Sequence, residues 1–403
     1  MNRPLGLLIL MAVATLSSVG CPPAPPATSP SASLPRPLPS AQVPVTARAD
    51  NGLRSRIEQA INVVRARELE ASHGFWTIFH GIVGLGPDVM MLDRKSGRRI
   101  KALDAIRSGT ADMPGLKFED RGAEGVDVLN ATDADRFFAQ GHQDQFVAEM
   151  AQWGVPLELE FRIGGVTRQF RDFVRYTKLR ASIKQKQELG WAILILAEYE
   201  GTTLSWTNKY GEALTFEDLI RYEAESPMDA EESVRLGQLP LACGGTHRLF
   251  GLSWSLHVHL QRGGKVEGVW KLVQDKTDHW ARTAKQLQNP DGSFSTNWFT
   301  SRGNAADRGG RLTTTGHTFE WLALALPDEE LKAPWMEEAA RYLATLILEM
   351  QHEAVEGGAL YHAIHGLLIY YARVWGPEGL GDNVPYLRLP PHWKQVRRPK
   401  SSV

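Results

Sequence analysis

The feature that most constrains this chain is an alternation of helices that are apolar on nearly every side with helices that are apolar on one side only. From about residue 245 it runs without a break. Segments 249–260, 318–326 and 360–374 are apolar nearly all round, and they alternate with the amphipathic segments 270–287 and 335–351. A helix apolar all round must be enclosed by other elements, whereas a one-sided helix covers a core and faces water. Upstream, 76–85 and 189–199 (Leu-Gly-Trp-Ala-Ile-Leu-Ile-Leu-Ala-Glu-Tyr) read as enclosed helices, 53–71 as an outer one, and 135–153 as mixed.

A short phrase marks the starts of the enclosed helices. It reads His73-Gly74-Phe75-Trp76, Gly141-His142, Gly245-Thr246-His247, Gly316-His317 and, more loosely, Gly358 followed by Tyr361-His362. Successive copies are separated by roughly 45 to 105 residues, and the shorter gaps suit one helical hairpin with a variable outer connection. A second repeat occupies the first half. Hairpin-like segments 91–100, 157–167 and 204–213, with glycine turns, each run into a helix carrying Asp104, Asp172 or Asp218 in its first turn, where the helix dipole favours a carboxylate. Together these repeats predict an all-α fold, an α/α toroid of about six helical hairpins with small inserted β-hairpins. Parallel inner helices would put their N-termini, and the histidines, at one end.

The organisation expected along the chain is a lipoprotein-type signal over 1–20, a Pro-rich tether over 21–49, the toroid over 50–385 and a basic tail over 386–403. Arg3, the apolar run 5–16 and the small residues 17–20 lead to Cys21, the expected lipidation site. The implied address is the cell envelope, with the membrane as partner through the anchor. The tether cannot bury enough apolar surface to offset its ordering entropy. A net charge of −1 argues against a nucleic-acid binder. With two cysteines in the chain, no cysteine zinc knuckle can form. A lipidated Cys21 leaves Cys243 as a lone thiol in an apolar setting.

Gln288-Asn289-Pro290-Asp291-Gly292-Ser293-Phe294 resembles the QW motif of the terpenoid cyclase and protein prenyltransferase superfamily, with Phe294 in place of tryptophan. Gln238 before Gly244-Gly245 and Gln351 before Gly357-Gly358 resemble degenerate copies, so the resemblance is clear over roughly 235–375. It implies the toroid fold, with the glutamine ending an outer helix and the aromatic packed beneath. The superfamily's aspartate-rich catalytic clusters are absent, and Cys243 and His247 match its zinc site only loosely.

The candidate catalytic residues are therefore read from the repeat itself: His142, His247, His317, His362 and Glu320. Histidine is the natural acid–base group and metal ligand near neutral pH. Glu320 follows His317, and His365 follows His362, by one turn on the same helix face. Arg248, Tyr361, Trp254, Trp321 and His73 are candidate ligand-binding residues. No cofactor is specified by the residues; a divalent metal is the one such a set could hold. The absence of the superfamily's catalytic clusters favours an envelope binding or scaffold lipoprotein with a glycan or lipid ligand; the alternative is an envelope enzyme, polysaccharide lyase- or hydrolase-like or isoprenoid-related, that uses the histidines. Histidines satisfied singly by backbone would favour the first. Convergence of three or more on one point would favour the second.

Overall fold

Residues 52–109, 112–136, 138–239 and 241–376 are described by a computed structural model. They are mainly helical, with a few small sheets. The helices are α1 (Gly52–Arg65), α2 (Gly74–Leu85), α3 (Ala102–Ser108), α4 (Gln145–Gln152), α5 (Phe170–Arg180), α6 (Gly190–Tyr199), α7 (Phe216–Glu225), α8 (Ala230–Arg235), α9 (Thr246–Gln261), α10 (Val269–Leu287), α11 (Arg308–Ala325), α12 (Asp328–Leu331), α13 (Pro334–Glu349) and α14 (Gly357–Trp375). The strands are β1 (Leu69–Glu70), β2 (Met90–Asp93), β3 (Arg98–Lys101), β4 (Phe118–Asp120), β5 (Val126–Val128), β6 (Glu160–Ile163), β7 (Val166–Gln169), β8 (Ser205–Thr207) and β9 (Ala213–Thr215). The signal, the tether with Cys21, and the basic tail lie outside the described residues. Among the described residues no helix is long and apolar enough to cross a membrane.

The helices that the sequence marks as enclosed pack on one another in turn. α2 contacts α4, α4 contacts α6, α6 contacts α9, α9 contacts α11, α11 contacts α14, and α14 returns to α2. Every residue of α2 and of α4 is buried, and α6 is buried from Gly190 to Ala197. The amphipathic helices lie against these: α1 on α13 and α14, α5 on α6, α7 on α6, α9 and α10, and α13 on α11.

Glycines set how closely the enclosed helices approach. A Cβ on Gly366 of α14 would lie 2.8 Å from the Glu320 Cα of α11, and one on Gly316 would lie 3.0 Å from the Ala363 Cβ. Cβ atoms do not normally come this near to backbone, so these helices touch where only glycine fits. The glycine beside each histidine thus has a packing reason of its own.

Three antiparallel hairpins, β2–β3, β6–β7 and β8–β9, run directly into α3, α5 and α7. Asp104, Asp172 and Asp218 sit in the first turns of those helices. Asp172 and Asp218 close capping boxes with Gln169 and Thr215, which satisfies backbone N–H groups at the helix start. β1 adds in parallel to β2, and β4 pairs with β5.

Three expectations need correction. The mixed helix over 135–153 begins only at Gln145, because Asp144 takes a left-handed backbone (φ 65°) that a helix cannot continue through. The outer helix over 53–71 stops at Arg65, and β1 follows. Cys243 is not a lone thiol: it is buried and disulfide-bonded. At the QW-like corner, Gln288 follows the last turn of α10 and donates to the backbone oxygens of Gly292 and Trp335, at 3.0 and 2.9 Å; Phe294 is buried.

Candidate functional site

The six enclosed helices bring a cluster of imidazoles and carboxylates to one buried place. α2 contributes His80 and α4 contributes Gln145 and Glu149. Glu188 comes from just before α6, and His142 from just before α4. α9 carries His247, α11 carries His317 and Glu320, and α14 carries His362 and His365. Ring centroids are 4.7 Å apart for His142 and His247, 5.9 Å for His247 and His317, 4.4 Å for His317 and His362, and 5.1 Å for His80 and His362. The five residues expected to be catalytic therefore lie together.

The hydrogen bonds orient every ring in the same sense. Glu188 bridges two rings, taking His142 Nδ1 at 3.0 Å on one oxygen and His247 Nδ1 at 2.9 Å on the other. Glu320 bridges His362 Nδ1 at 2.9 Å and His365 Nδ1 at 2.5 Å. His80 Nδ1 faces the Trp76 carbonyl at 2.7 Å, and His317 Nδ1 faces the Thr313 carbonyl at 2.8 Å. Ionised carboxylates and carbonyls only accept, so each Nδ1 carries the proton. The Nε2 atom is then the one left to take a proton or a metal. Nε2 of His142, His247 and His362 is buried and has no hydrogen-bond partner among the described residues.

Electrostatics follow from burial and from these bonds. Burial, aided by neighbouring imidazoles, holds His80 and His317 well below the ordinary histidine value. Burial pushes His247 down to about 4 despite its bond to Glu188. Burial alone would raise Glu188 and Glu320, but the charge and hydrogen bonds of their paired histidines prevail and hold both below the carboxylate range. Glu149 goes the other way: burial raises it well above that range, and one bond from Gln145 does not compensate. Two carboxylates held below the ordinary range and one raised above it, side by side, are the kind of divergence seen in active centres.

The backbone is strained at the same place. Asp144, Cys243 and Trp298 are the described non-glycine residues with positive φ, at 65°, 44° and 54°. Asp144 lies between His142 and Gln145, Cys243 lies just before α9, and the Trp298 ring is 6.2 Å from that of His317. Such conformations cost of order 1–3 kcal/mol each and gather at functional sites.

Two cavities meet at His247. The inner one is a crevice with no room for a water molecule, lined by Trp76, His142, Gln145, His247, His317 and His362, among others. The outer one, about 20 Å³, is lined by Glu188, Tyr222, Glu223, Gln238, His247 and Arg248, among others.

The expected ligand-binding residues scatter. Arg248 borders the outer cavity, donating to Glu223 at 2.6 Å and to the Pro227 carbonyl at 2.5 Å. Tyr361 is buried against Gly81 and Gly84 of α2, because one residue before His362 points about 100° round the helix. Trp254 lies two turns beyond His247 and bonds Glu198; Trp321 lies one turn beyond His317 and bonds Ser253. His73 accepts from the Glu70 backbone N–H at 3.0 Å, in a capping role. The tryptophans at the cluster are instead Trp76, 4.1 Å from the His80 ring, and Trp191, 4.7 Å from the His247 ring. The sequence reading missed His80, Gln145, Glu149 and Glu188. A histidine inside Phe79-His80-Gly81, in a wholly apolar stretch, was the available signal for the first.

Comparison with known proteins returned nothing for this chain: no protein family, curated protein or solved structure matches it.

Proposed function

We propose that this chain is an envelope enzyme, with the imidazole–carboxylate cluster as its active centre inside an α/α toroid. The toroid reading is supported by the circuit of enclosed helices from α2 through α14 and back to α2, with amphipathic helices around it. The enzyme reading is carried by one observation: six imidazoles converge with Nδ1 tied back, and in His142, His247 and His362 the buried Nε2 has no hydrogen-bond partner among the described residues. A structural histidine has no need of this arrangement, since a buried nitrogen without a partner costs about 1–3 kcal/mol. An acid–base centre requires it.

A polar substrate would reach the cluster by widening the outer cleft, where the paired Arg248 and Glu223 lie beside His247. An envelope glycan fits that lining better than an isoprenoid, because at least four of its side chains are polar or charged. Cys21, as a lipid anchor, and the tether behind it would hold the domain at a membrane surface. The alternative of a binding or scaffold lipoprotein draws on the narrowness of the inner cavity.

The test is turnover of a panel of envelope glycans by the domain from residue 50, compared with His247→Asn and His317→Asn. Asparagine keeps an N–H near Nδ1 and deletes Nε2, so folding is largely spared. Loss of turnover by about 100-fold in both is expected, in line with the contribution of a positioned acid–base group. Glycan binding without turnover, surviving both substitutions, would establish the scaffold reading instead.

A further inference from the structure

Gln145 is the odd member of the cluster. Its amide NH₂ donates to Glu149 Oε1 at 2.8 Å and stands 3.1 Å from His80 Nε2, while its own Oε1 is buried without a partner among the described residues. The weakly positive end of one amide thus sits between two acceptors. Glu149 Oε2 is also buried without a partner, as is His362 Nε2, which points at the same carboxylate from 3.9 Å. His80 Nε2 is 3.5 Å from Glu149 Oε1. His80 and Glu149 are wholly buried, and His362 is 2% exposed. With Nδ1–H on both rings and Glu149 ionised, all three groups are acceptors and cannot satisfy one another, and none accepts from a backbone N–H among the described residues; a neutral Glu149 is the alternative when no cation is bound. One cation would satisfy them together.

We infer that His80 Nε2, His362 Nε2 and the Glu149 carboxylate hold a divalent transition-metal ion of the zinc class. The inference rests on reading this cluster as the functional centre. One ligand atom from each residue lies within 4.8 Å of the other two. Atoms so spaced lie on a circle of radius no more than about 2.4 Å, against the roughly 2.0–2.2 Å that zinc requires of imidazole and carboxylate donors. A shift of a few tenths of an ångström, with Gln145 turning aside, closes the site. Two imidazoles and a carboxylate form a borderline donor set that suits zinc and its neighbours better than calcium or magnesium.

The supporting groups are already in place. His80 Nδ1–H donates to the Trp76 carbonyl, and His362 Nδ1–H donates to Glu320, the outer contacts that fix a ligating ring and raise its basicity. Three protein ligands leave a position open, and the His317 and His247 rings lie 4.4 and 6.4 Å from the His362 ring. A second constellation, His142, Cys243 and His247, has compatible spacing. Its cysteine is disulfide-bonded and offers no thiolate.

The test uses the full chain, first by metal analysis after chelator-free purification, then by titrating the stripped protein with Zn²⁺ and Co²⁺. The expected result is one ion per chain and a Co²⁺ visible spectrum without thiolate charge-transfer bands. Glu149→Gln and His362→Asn should each weaken binding on the order of 100-fold, and Lys271→Met, on the exposed face of α10, should leave it unchanged. Circular dichroism and gel filtration establish that each variant folds, and either ligand variant alone suffices. Folded wild-type protein that takes up neither ion overturns the site. So does binding that both ligand variants retain, or a thiolate band, which would move the ion to Cys243. Glycan turnover by the metal-free chain would remove the metal and leave the enzyme reading standing. A bound ion without turnover would do the reverse.

Discussion

Glu320→Gln is the most revealing single substitution. The carboxylate accepts two N–H groups from one helix, His362 at 2.9 Å and His365 at 2.5 Å, and it is 5% exposed. Hydrogen bonds to a buried charge stabilise by about 1.5–3 kcal/mol each, and neutral ones by about 0.5–1.5. Glutamine keeps one acceptor oxygen but turns an NH₂ toward the second ring. That ring must move its proton to Nε2 or leave two donors face to face. Exchanging two charge-assisted bonds for neutral ones removes about 2–3 kcal/mol, and relief from burying a charge returns part of it, so the net loss should be about 2 kcal/mol. The assay is urea unfolding at pH 7, with ¹⁵N NMR of the ring nitrogens. The midpoint should fall, and one of His362 or His365 should change to the Nε2–H tautomer. An unchanged or higher midpoint, with both rings still protonated at Nδ1, would show that Glu320 does not organise the rings.

Three other outcomes are expected. Lys276 is held down to about 8 by burial and by Arg248, while it donates to the Ala224 and Ser226 carbonyls. Because the unfolded chain then binds the extra proton, stability should rise between about pH 8 and 10.5, by at most about 3 kcal/mol; Lys276→Met should flatten that rise in unfolding curves measured across the range. Gln288→Ala should cost about 1–2 kcal/mol by unpairing the Gly292 and Trp335 carbonyls, read from the denaturation midpoint; a cost near zero would make this corner incidental to the fold. Cys21→Ser should move the protein from membrane to soluble fractions if Cys21 is lipidated. Membrane association unchanged by Cys21→Ser would remove the anchor.

Period and composition alone separated enclosed from covering helices, because a helix like α6, with Ile193, Leu194, Ile195 and Leu196 all buried, can face no water on any side. The hairpins leading into Asp104, Asp172 and Asp218 were equally legible, since glycine turns and first-turn carboxylates are local chemistry. So was the association of His142, His247, His317 and His362, through repetition. What could not be read is whatever depends on direction and on partners distant in sequence. Tyr361 and His362 are neighbours in the chain, yet the helix turns one toward α2 and the other toward Glu320. His80 and Glu149 carry no repeat signature, and they meet His362 only because α2, α4 and α14 adjoin. Sequence determined which residue types were available and on which elements. Tertiary structure decided which nitrogen of each histidine is tied back and which is left to act, because that choice is made by carboxylates and carbonyls brought in by the fold.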